Sequence, residues 1–296
     1  MIDELKTFIA VVDEKSFTKA ASSINMSQPS VSLHIARLEK YFNTTLIERS
    51  NKQRNIFITQ TGEMLYKRAK QLVTILEETK EELSNYHNSP SGTLKLGSSM
   101  TIGEFLLPSI LGDFVKEFPN IKLEVTIHNT KDIYTKFKNY DIDIALIEGT
   151  VPVHNYRHGN FYKDTMVLVV PNSYPYEDNE EITLKEHLSD QTWINREEGS
   201  GTGENLKIFL DHEGISPKNL IILGSNYAIK EAVKNNLGIT FISSLVVNEA
   251  VKKNELKIIP TKTQYNRYFS YLVHKENSVS KLASLFLDRL LKKGML

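Results

Sequence analysis

Between Ser27 and Lys40 the chain alternates two kinds of side chain with the period of a helix. Val31, Ile35 and Leu38 fall together at 100° per residue, while Pro29, Ser30, Leu33, Ala36, Arg37 and Lys40 fall on the opposite side with Ser32 and His34 at its flanks. Gln28, Ser30 and Ser32 near the start of the segment offer short hydrogen-bonding groups for base edges or phosphates, and Arg37 and Lys40 suit phosphates. Leu33 cannot hydrogen-bond, so its chemistry on that face is contact with a thymine methyl or a sugar. Further on, Lys52 and Arg54 stand in a polar stretch where they could track a phosphate backbone or an adjacent minor groove. A small helical protein-interaction domain with a solvated face would give the same pattern, and that reading stays open at this level.

The elements that must position these groups are legible around them. Leu5, Phe8, Ile9 and Val12 mark an amphipathic first helix. Ser16 caps a short second helix through Ala20, Ala21 and Ile24, which Asn25 ends. Ser27 then caps the third, with Pro29 in its first turn, where the missing N–H costs nothing. A tight turn between two helices, with small alanines permitting close approach, is a helix-turn-helix pattern. Leu46-Ile47 and Ile56-Ile58 flank the tip Ser50–Asn55, which reads as a small hairpin, a wing. Thr59 and Gly62 precede a long helix on which Leu65, Ala69, Leu72, Leu76, Thr79 and Leu83 recur by fours and threes, a heptad seam that predicts pairing with a second copy of the chain. Packing within its own domain is the alternative.

The segment NYHNSPSG, residues 85–92, reads as a linker. Beyond it strand-like stretches (93–96, 123–127, 142–147, 166–170, 220–223, 239–242 and 268–273) alternate with helical ones, which predicts parallel sheets with crossover helices. Net charge is zero, with 36 basic and 36 acidic residues, yet residues 16–60 hold six Lys or Arg against Glu39 and Glu48, a local basic patch inside a neutral chain. The absence of cysteine excludes thiol catalysis, Cys-based zinc sites and a disulfide framework. The purely apolar runs, Met166–Val170 among them, are too short to span a bilayer, and MIDELKTF lacks a signal peptide's basic start, so a cytoplasmic protein without membrane partners is expected.

Taken in order, Leu5, Phe8, Val11, Ser16-Phe17-Thr18, Ala20-Ala21, Ser27 to Ser32, Leu38-Glu39, Arg49, Thr59 and Gly62 resemble the signature of the LysR-type transcriptional regulators across the whole N-terminal segment. The resemblance implies an α/β protein with an α-rich N-terminal winged helix-turn-helix, a long linker helix and a periplasmic-binding-protein-like effector domain of two subdomains. Its implied boundaries are 1–62, 63–88 and 89–296, the last divided into subdomain I (89–162 and 267–296) and subdomain II (163–266). The helix-turn-helix falls on 18–37, with Thr18, Ser27, Gln28, Pro29, Ser30, Ser32, Leu33, His34 and Arg37 toward double-stranded DNA at a dyad site, in a dimer or tetramer. RNA polymerase is a candidate partner. Leu33 stands where many relatives carry Arg, so base preference is not transferable, and Ile24 and Ile47 replace the commoner Leu and Phe as conservative core changes.

The resemblance also implies a small-molecule effector, and no cofactor, in a cleft between the subdomains near strand ends and helix N-termini, where unpaired N–H groups favour anions. Ser99, Met100 and Thr101, then Thr130, then Ser200, Gly201 and Thr202, and finally Asn226 stand at such junctions. Simple helix capping is the competing account of each. Glu148 complicates an anionic ligand: it could bind an amine, pair with Arg196 or point to solvent. Leu146 to Gly149 and Arg196 to Thr202 resemble the subgroup that includes regulators of sulfite reduction and sulfur assimilation, and are similar to regulators of carbon fixation.

Enzyme readings fare poorly. The stretch 97–101 lacks the closing Gly of a nucleophile elbow, and 199–203 lacks the ending of a P-loop. His154 and His158 are four apart, but Pro152 and Gly159 predict a loop there, and Asp141 and Asp143 read as an exposed strand edge. The rival from another class is a small-molecule-binding protein with an accessory helical interaction domain.

Overall fold

A computed structural model of the chain describes residues 1–49, 56–84, 90–152, 156–175, 184–275 and 280–293. The chain divides into two compact units, Met1–Asn88 and Ser89–Leu296.

In the first unit three helices, α1 (Ile2–Glu14), α2 (Phe17–Ser23) and α3 (Gln28–Phe42), precede a two-stranded hairpin, β1 (Ile47–Arg49) with β2 (Ile56–Ile58), and a long helix, α4 (Gln60–Ser84). Ser16 and Ser27 cap α2 and α3, each accepting a hydrogen bond from the amide three residues on. Leu5, Phe8, Ala20, Val31, Ile35 and Leu38 are buried in the core as their spacing predicts, but on α1 the third inward position is Val11, and Ile9 and Val12, expected on that stripe, pack against the core only partly buried. The long helix begins before Gly62 rather than after it: the Thr59 hydroxyl accepts from the Gly62 amide at 2.9 Å and caps it. A Cβ on Gly62 would run into the Leu46 carbonyl oxygen, so only glycine lets α4 leave so close to the hairpin.

In the second unit the described elements are β3 (Gly92–Ser99), a π-helical turn (Ile102–Leu106), α5 (Leu107–Glu117), β4 (Ile121–His128), α6 (Thr130–Lys138), β5 (Ile144–Glu148), β6 (Tyr156–Pro171), α7 (Leu184–Ser189), β7 (Thr192–Arg196), α8 (Gly201–Glu213), β8 (Asn219–Leu223), α9 (Asn226–Lys234), β9 (Thr240–Ser243), α10 (Ser244–Lys252), β10 (Leu256–Ile259), β11 (Tyr265–His274) and α11 (Lys281–Lys293). One sheet runs β4-β3-β5-β11-β6-β10, with β9 also on β6, while β7 and β8 pair in parallel beside β9. The sheet is therefore mixed. β4, β3 and β5 are parallel as expected, but β11, β6, β9 and β10 meet their neighbours antiparallel.

The departure has one source. The long strands β6 and β11 lie against each other from Tyr156 to Met166 and from Tyr265 to His274, tying the subdomains together. Phe161 is an extra residue in that ladder, a bulge opposite the step from Phe269 to Ser270.

In each subdomain one central strand, β5 or β7, is buried on both faces. Ile144 and Leu146 of β5 pack toward α5 and α11, whereas Ala145 and Ile147 pack toward Ile133 and Phe137 of α6. Hence β5 is an interior strand, not the exposed edge its flanking acids suggested; Asp143 is bound through both its backbone and its carboxylate to the backbone of Lys95. In the other subdomain Trp193 packs with Phe209 and Phe241 against α8, and Ile194 packs against α9 and α10. His158 and Gly159 lie on β6, where a loop was expected; pairing with β11 overrides the glycine and proline signals. His154 lies outside the described residues. Among the described residues no helix is long and apolar enough to cross a membrane, and no group of three or more His, Cys, Asp or Glu could hold a metal ion.

Candidate functional site

On the first unit α3 presents the face outlined by its sequence. Leu33 is 51% exposed among polar neighbours. Gln28 and Pro29 are exposed at the N-terminus of α3, Thr18 is exposed on α2, and the Gln28 amide donates to the Ser32 hydroxyl at 3.0 Å. Ser27 and Ser30 are committed to the cap, their hydroxyls 2.7 Å apart. Arg37 remains exposed, 3.7 Å from Glu4.

His34 does more than flank this face. Its Nδ1 lies 2.8 Å from the hydroxyl of buried Thr7, which donates to the Asp3 carbonyl, so the ring nitrogen is the donor and ties α3 to α1. Glu39 has a role its sequence position did not reveal: Oε1 accepts from the Leu46 and Ile47 amides at 2.9 and 3.3 Å, anchoring the start of the hairpin to α3. Lys52 and Arg54, expected on the hairpin tip, lie outside the described residues.

The heptad seam of α4 divides. Ala69 is fully buried in the unit's own core and is not available to a second copy, and Leu65 packs partly buried against that core. Leu72 and Leu83 are exposed, as is Thr79, whose hydroxyl bonds back to the Ile75 carbonyl; Leu76 is half-buried. An ion pair from Lys6 to Glu77, 2.7 Å, braces α1 against the middle of α4.

In the second unit, side chains from five separate stretches meet. The Thr101 hydroxyl accepts from Asn226 Nδ2 at 3.0 Å and from Arg267 Nη2 at 3.3 Å, and lies 3.5 Å from the Thr202 hydroxyl. Thr202 accepts from Arg267 Nη1 at 3.1 Å and donates to Glu148 Oε2 at 3.5 Å. With both Thr101 lone pairs taken, its proton points to Thr202, whose own proton points to Glu148. Every member of this chain is buried.

Local structure explains the meeting. Thr101 opens the π-helical turn after β3, and Thr202 lies in the first turn of α8, with Ser200 rather than Thr202 as its cap. A Cβ on Gly201 would run into the Glu148 carbonyl oxygen, so that glycine lets the N-terminus of α8 sit on the end of β5. Asn226 is the first residue of α9, capped by Ser225.

The other expected residues are placed differently. Thr130 donates its hydroxyl to the Glu148 carbonyl at 2.7 Å, and Ser200 accepts from the Gly203 amide, so both hydroxyls have structural partners. Ser99 Oγ is buried with no hydrogen-bond partner among the described residues. Met100 Sδ lies 3.1 Å from Arg196 Nη2.

Glu148 neither pairs with Arg196 nor reaches solvent. It forms an ion pair with Arg267 at 2.6 Å, and the Arg267 Nε also bonds to Asp164 at 2.7 Å. Arg196 instead grips Glu197 through Nε and Nη2 at 2.8 and 2.9 Å and gives Nη1 to Asn226 at 2.7 Å. Burial pushes the Asp164 carboxyl up, against the opposing pull of Arg267 and the Ser243 hydroxyl. Burial alone would raise Glu197 too, but its bonds to Arg196 hold it below the usual carboxylate range.

Asp164 and Arg267 escaped the sequence reading. The available signal was a lone charge in phase with buried residues of an apolar strand: Arg267 alternates with Phe269 and Tyr271, and Asp164 with Met166 and Leu168.

A unit of three short helices, a β-hairpin and a long fourth helix, followed by two α/β subdomains joined by paired crossover strands around a buried polar cluster, defines a helix-turn-helix regulator carrying an effector-binding domain. Residues 2–63 match the bacterial regulatory helix-turn-helix protein, lysR family, and residues 87–294 match the LysR substrate binding domain. The HTH-type transcriptional regulator CysL of Bacillus subtilis (strain 168) is 39% identical over 98% of this chain and 99% of its own length. The chain belongs to the LysR family of transcriptional regulators.

Full-length OxyR from Pseudomonas aeruginosa shares the fold at 18% identity, with a TM-score of 0.76 over 98% of this chain and 97% of that one. The CcmR regulatory domain of Synechocystis PCC6803, solved in complex with 2-PG, matches 69% of this chain and 98% of its own at 24% identity and a TM-score of 0.63. The protein is thus a transcriptional regulator with a DNA-binding and an effector-binding domain, not an enzyme, and the reading as a binding protein with an accessory helical domain falls away.

Proposed function

We propose that this LysR-type regulator acts in the cytoplasm as a dimer or tetramer on dyad DNA sites and answers to a small anionic metabolite, with sulfur assimilation as the controlled pathway. Thr18, Ser27, Gln28, Pro29, Ser30, Ser32, Leu33, His34 and Arg37, with Lys52 and Arg54, form the DNA-contacting set. Leu72, Leu76, Thr79 and Leu83 form the pairing stripe of α4. RNA polymerase is the partner through which occupancy of a promoter site acts.

The observation that carries the effector reading is the convergence of Thr101, Glu148, Thr202 and Asn226 in one buried hydrogen-bonded cluster beside Ser99, whose hydroxyl has no partner among the described residues. Met100 borders it; Thr130, Ser200 and Gly201 frame it. The guanidinium N–H groups of Arg267 and Arg196 and the first turn of α8 supply hydrogen-bond donors of the kind an anion uses. The sulfur pathway is supported by the subgroup resemblance of residues 146–149 and 196–202, two stretches that touch where Gly201 meets Glu148, and by the full-length likeness to CysL.

Occupancy would shift a two-state equilibrium of the subdomains and so the spacing of paired DNA-binding units. Retention of sheared genomic DNA by the purified protein near physiological salt, followed by sequencing, tests this. A few enriched dyad sites near sulfur-assimilation genes are expected. Enrichment near other genes removes the pathway, and no enrichment at any salt or with any candidate metabolite removes sequence-specific binding.

A further inference from the structure

We infer that Glu148 is a built-in occupant of the anion-binding groups of the effector site, and that an anionic effector binds by exchanging places with its carboxylate on Arg267. The inference rests on the anionic-effector reading above and makes Arg267 the specificity-determining residue of that site.

Three donors converge on the Glu148 carboxylate: the Arg267 guanidinium at 2.6 Å, the Thr202 hydroxyl at 3.5 Å and the Thr101 amide at 3.4 Å. A guanidinium, a hydroxyl and an amide at the start of a helical segment are the donor set that holds a carboxylate, sulfate or phosphate group. Two of the three contacts sit at the long limit of hydrogen bonding, so the carboxylate is held mainly by Arg267 and fills the place of an anion without satisfying it.

Charge makes exchange, rather than addition, the route. Arg267 already faces two carboxylates, Glu148 and Asp164, all three residues being at least nine-tenths buried. Arg196 is neutralised by Glu197. A further anion entering with Glu148 in place would set three negative groups around one guanidinium, out of reach of solvent screening. Asp164 is the poorer leaving partner, because two short bonds, 2.7 Å from Arg267 and 2.6 Å from Ser243, hold it within β6. Glu148 stands at the last position of β5. Removing it from Arg267 also cuts the link Thr101–Thr202–Glu148, which spans the two subdomains. A neutral molecule of the same shape cannot take its place on the guanidinium, so the exchange selects for charge.

The test is titration of the full-length wild type and of Glu148→Gln with inorganic sulfate and inorganic phosphate, and with dimethyl sulfone as an uncharged isostere of sulfate, followed by calorimetry. The amide keeps the size of Glu148 and leaves Arg267 with Asp164 as its single counter-charge. Glu148→Gln is expected to bind sulfate or phosphate at least about tenfold more tightly than wild type, with no gain for dimethyl sulfone. Adding Arg267→Lys should abolish the gain, since an ammonium lacks the planar fork.

Should Glu148→Gln fail to fold, Glu148→Asp, which withdraws the carboxylate by one methylene, should shift affinity the same way. Wild type and Glu148→Gln binding these anions equally would overturn the exchange and leave the anionic-effector reading standing. A gain for dimethyl sulfone as large as that for sulfate would show a cavity effect and overturn it too. Binding of neither anion by any variant that folds would overturn both.

Discussion

Asp164 and Arg267 are directly opposed residues on the two long crossover strands, and their side chains close the same rung that their backbones form, carboxylate to Nε at 2.7 Å. Replacing Arg267 with Met would leave two buried carboxylates without their cation. The expected cost is about 3–5 kcal/mol of stability. The sole tryptophan, Trp193, is fully buried in the same unit and reports this as a shift of the urea midpoint in fluorescence. A midpoint within experimental error of wild type would show that the pair contributes little.

His274, at the end of β11, is stacked between Phe137 and Tyr140 at centroid distances of 4.0 Å each, with Nε2 buried and unpartnered among the described residues. Burial pulls its pKa down from 6.5 to about 4, only partly opposed by its backbone hydrogen bond with Phe137. In the folded state the ring is neutral where the unfolded chain would take up a proton. Its contribution is therefore intact above pH 6.5 and is lost progressively as pH falls toward 4, on the order of 3 kcal/mol in all. A His274→Phe variant should lose that part of the acid sensitivity; unfolding curves at pH 7 and pH 5 compare the two.

Glu39→Ala should loosen the hairpin, because the Leu46 and Ile47 amides lose their shared acceptor in a partly buried setting. A loss of about 1–3 kcal/mol is expected, with weaker binding to all DNA. Amide exchange at Leu46 and Ile47, compared between the variant and wild type, reads the effect at its origin.

For Leu33→Ala the expected change is in preference among DNA sequences rather than in overall affinity, since the side chain is exposed and apolar on the outward face of α3. Lys52→Ala, in contrast, should weaken binding broadly and reduce the salt slope by about one. Anisotropy titrations on a selected site and on random DNA, across salt, separate the two; equal losses on both DNAs for Leu33→Ala would remove it from base readout.

Leu72→Glu with Leu83→Glu should weaken self-association, because both residues are exposed on α4, whereas Ala69 is built into the core of its own unit, Leu65 packs against that core, and their substitution should cost folding. Sedimentation velocity over a concentration series distinguishes a lower molar mass from an unfolded sample.

Most of the DNA-binding unit was legible because its signals are local. A serine cap, a proline in the first turn of a helix and an apolar stripe at helical period each act within a few residues, as at Ser27, Pro29 and Val31, Ile35 and Leu38. The hairpin anchor was not, since Glu39 reaches its partners across seven and eight residues with nothing in its own neighbourhood to announce them.

In the effector half the strand ends and helix starts were readable, but the groups that link them were not. Arg267 meets Thr101 across 166 residues and Thr202 across 65. The mixed sheet was missed for the same reason: alternating elements predict parallel pairing, and only the long return of β6 and β11 reverses it. Strands β7 and β10 and helices α7 and α10 were not among the stretches the sequence marked.

The bulge at Phe161 has a mechanical meaning. Because β6 and β11 pass unbroken from one half of the effector unit to the other, the halves cannot slide or come apart without tearing the ladder; relative motion is confined to bending and torsion of a two-stranded ribbon at its one irregular rung. Such a ribbon converts diverse chemical inputs into nearly a single kind of output. Side chains beside it can be exchanged to suit a new metabolite while the stroke delivered by the ribbon stays the same.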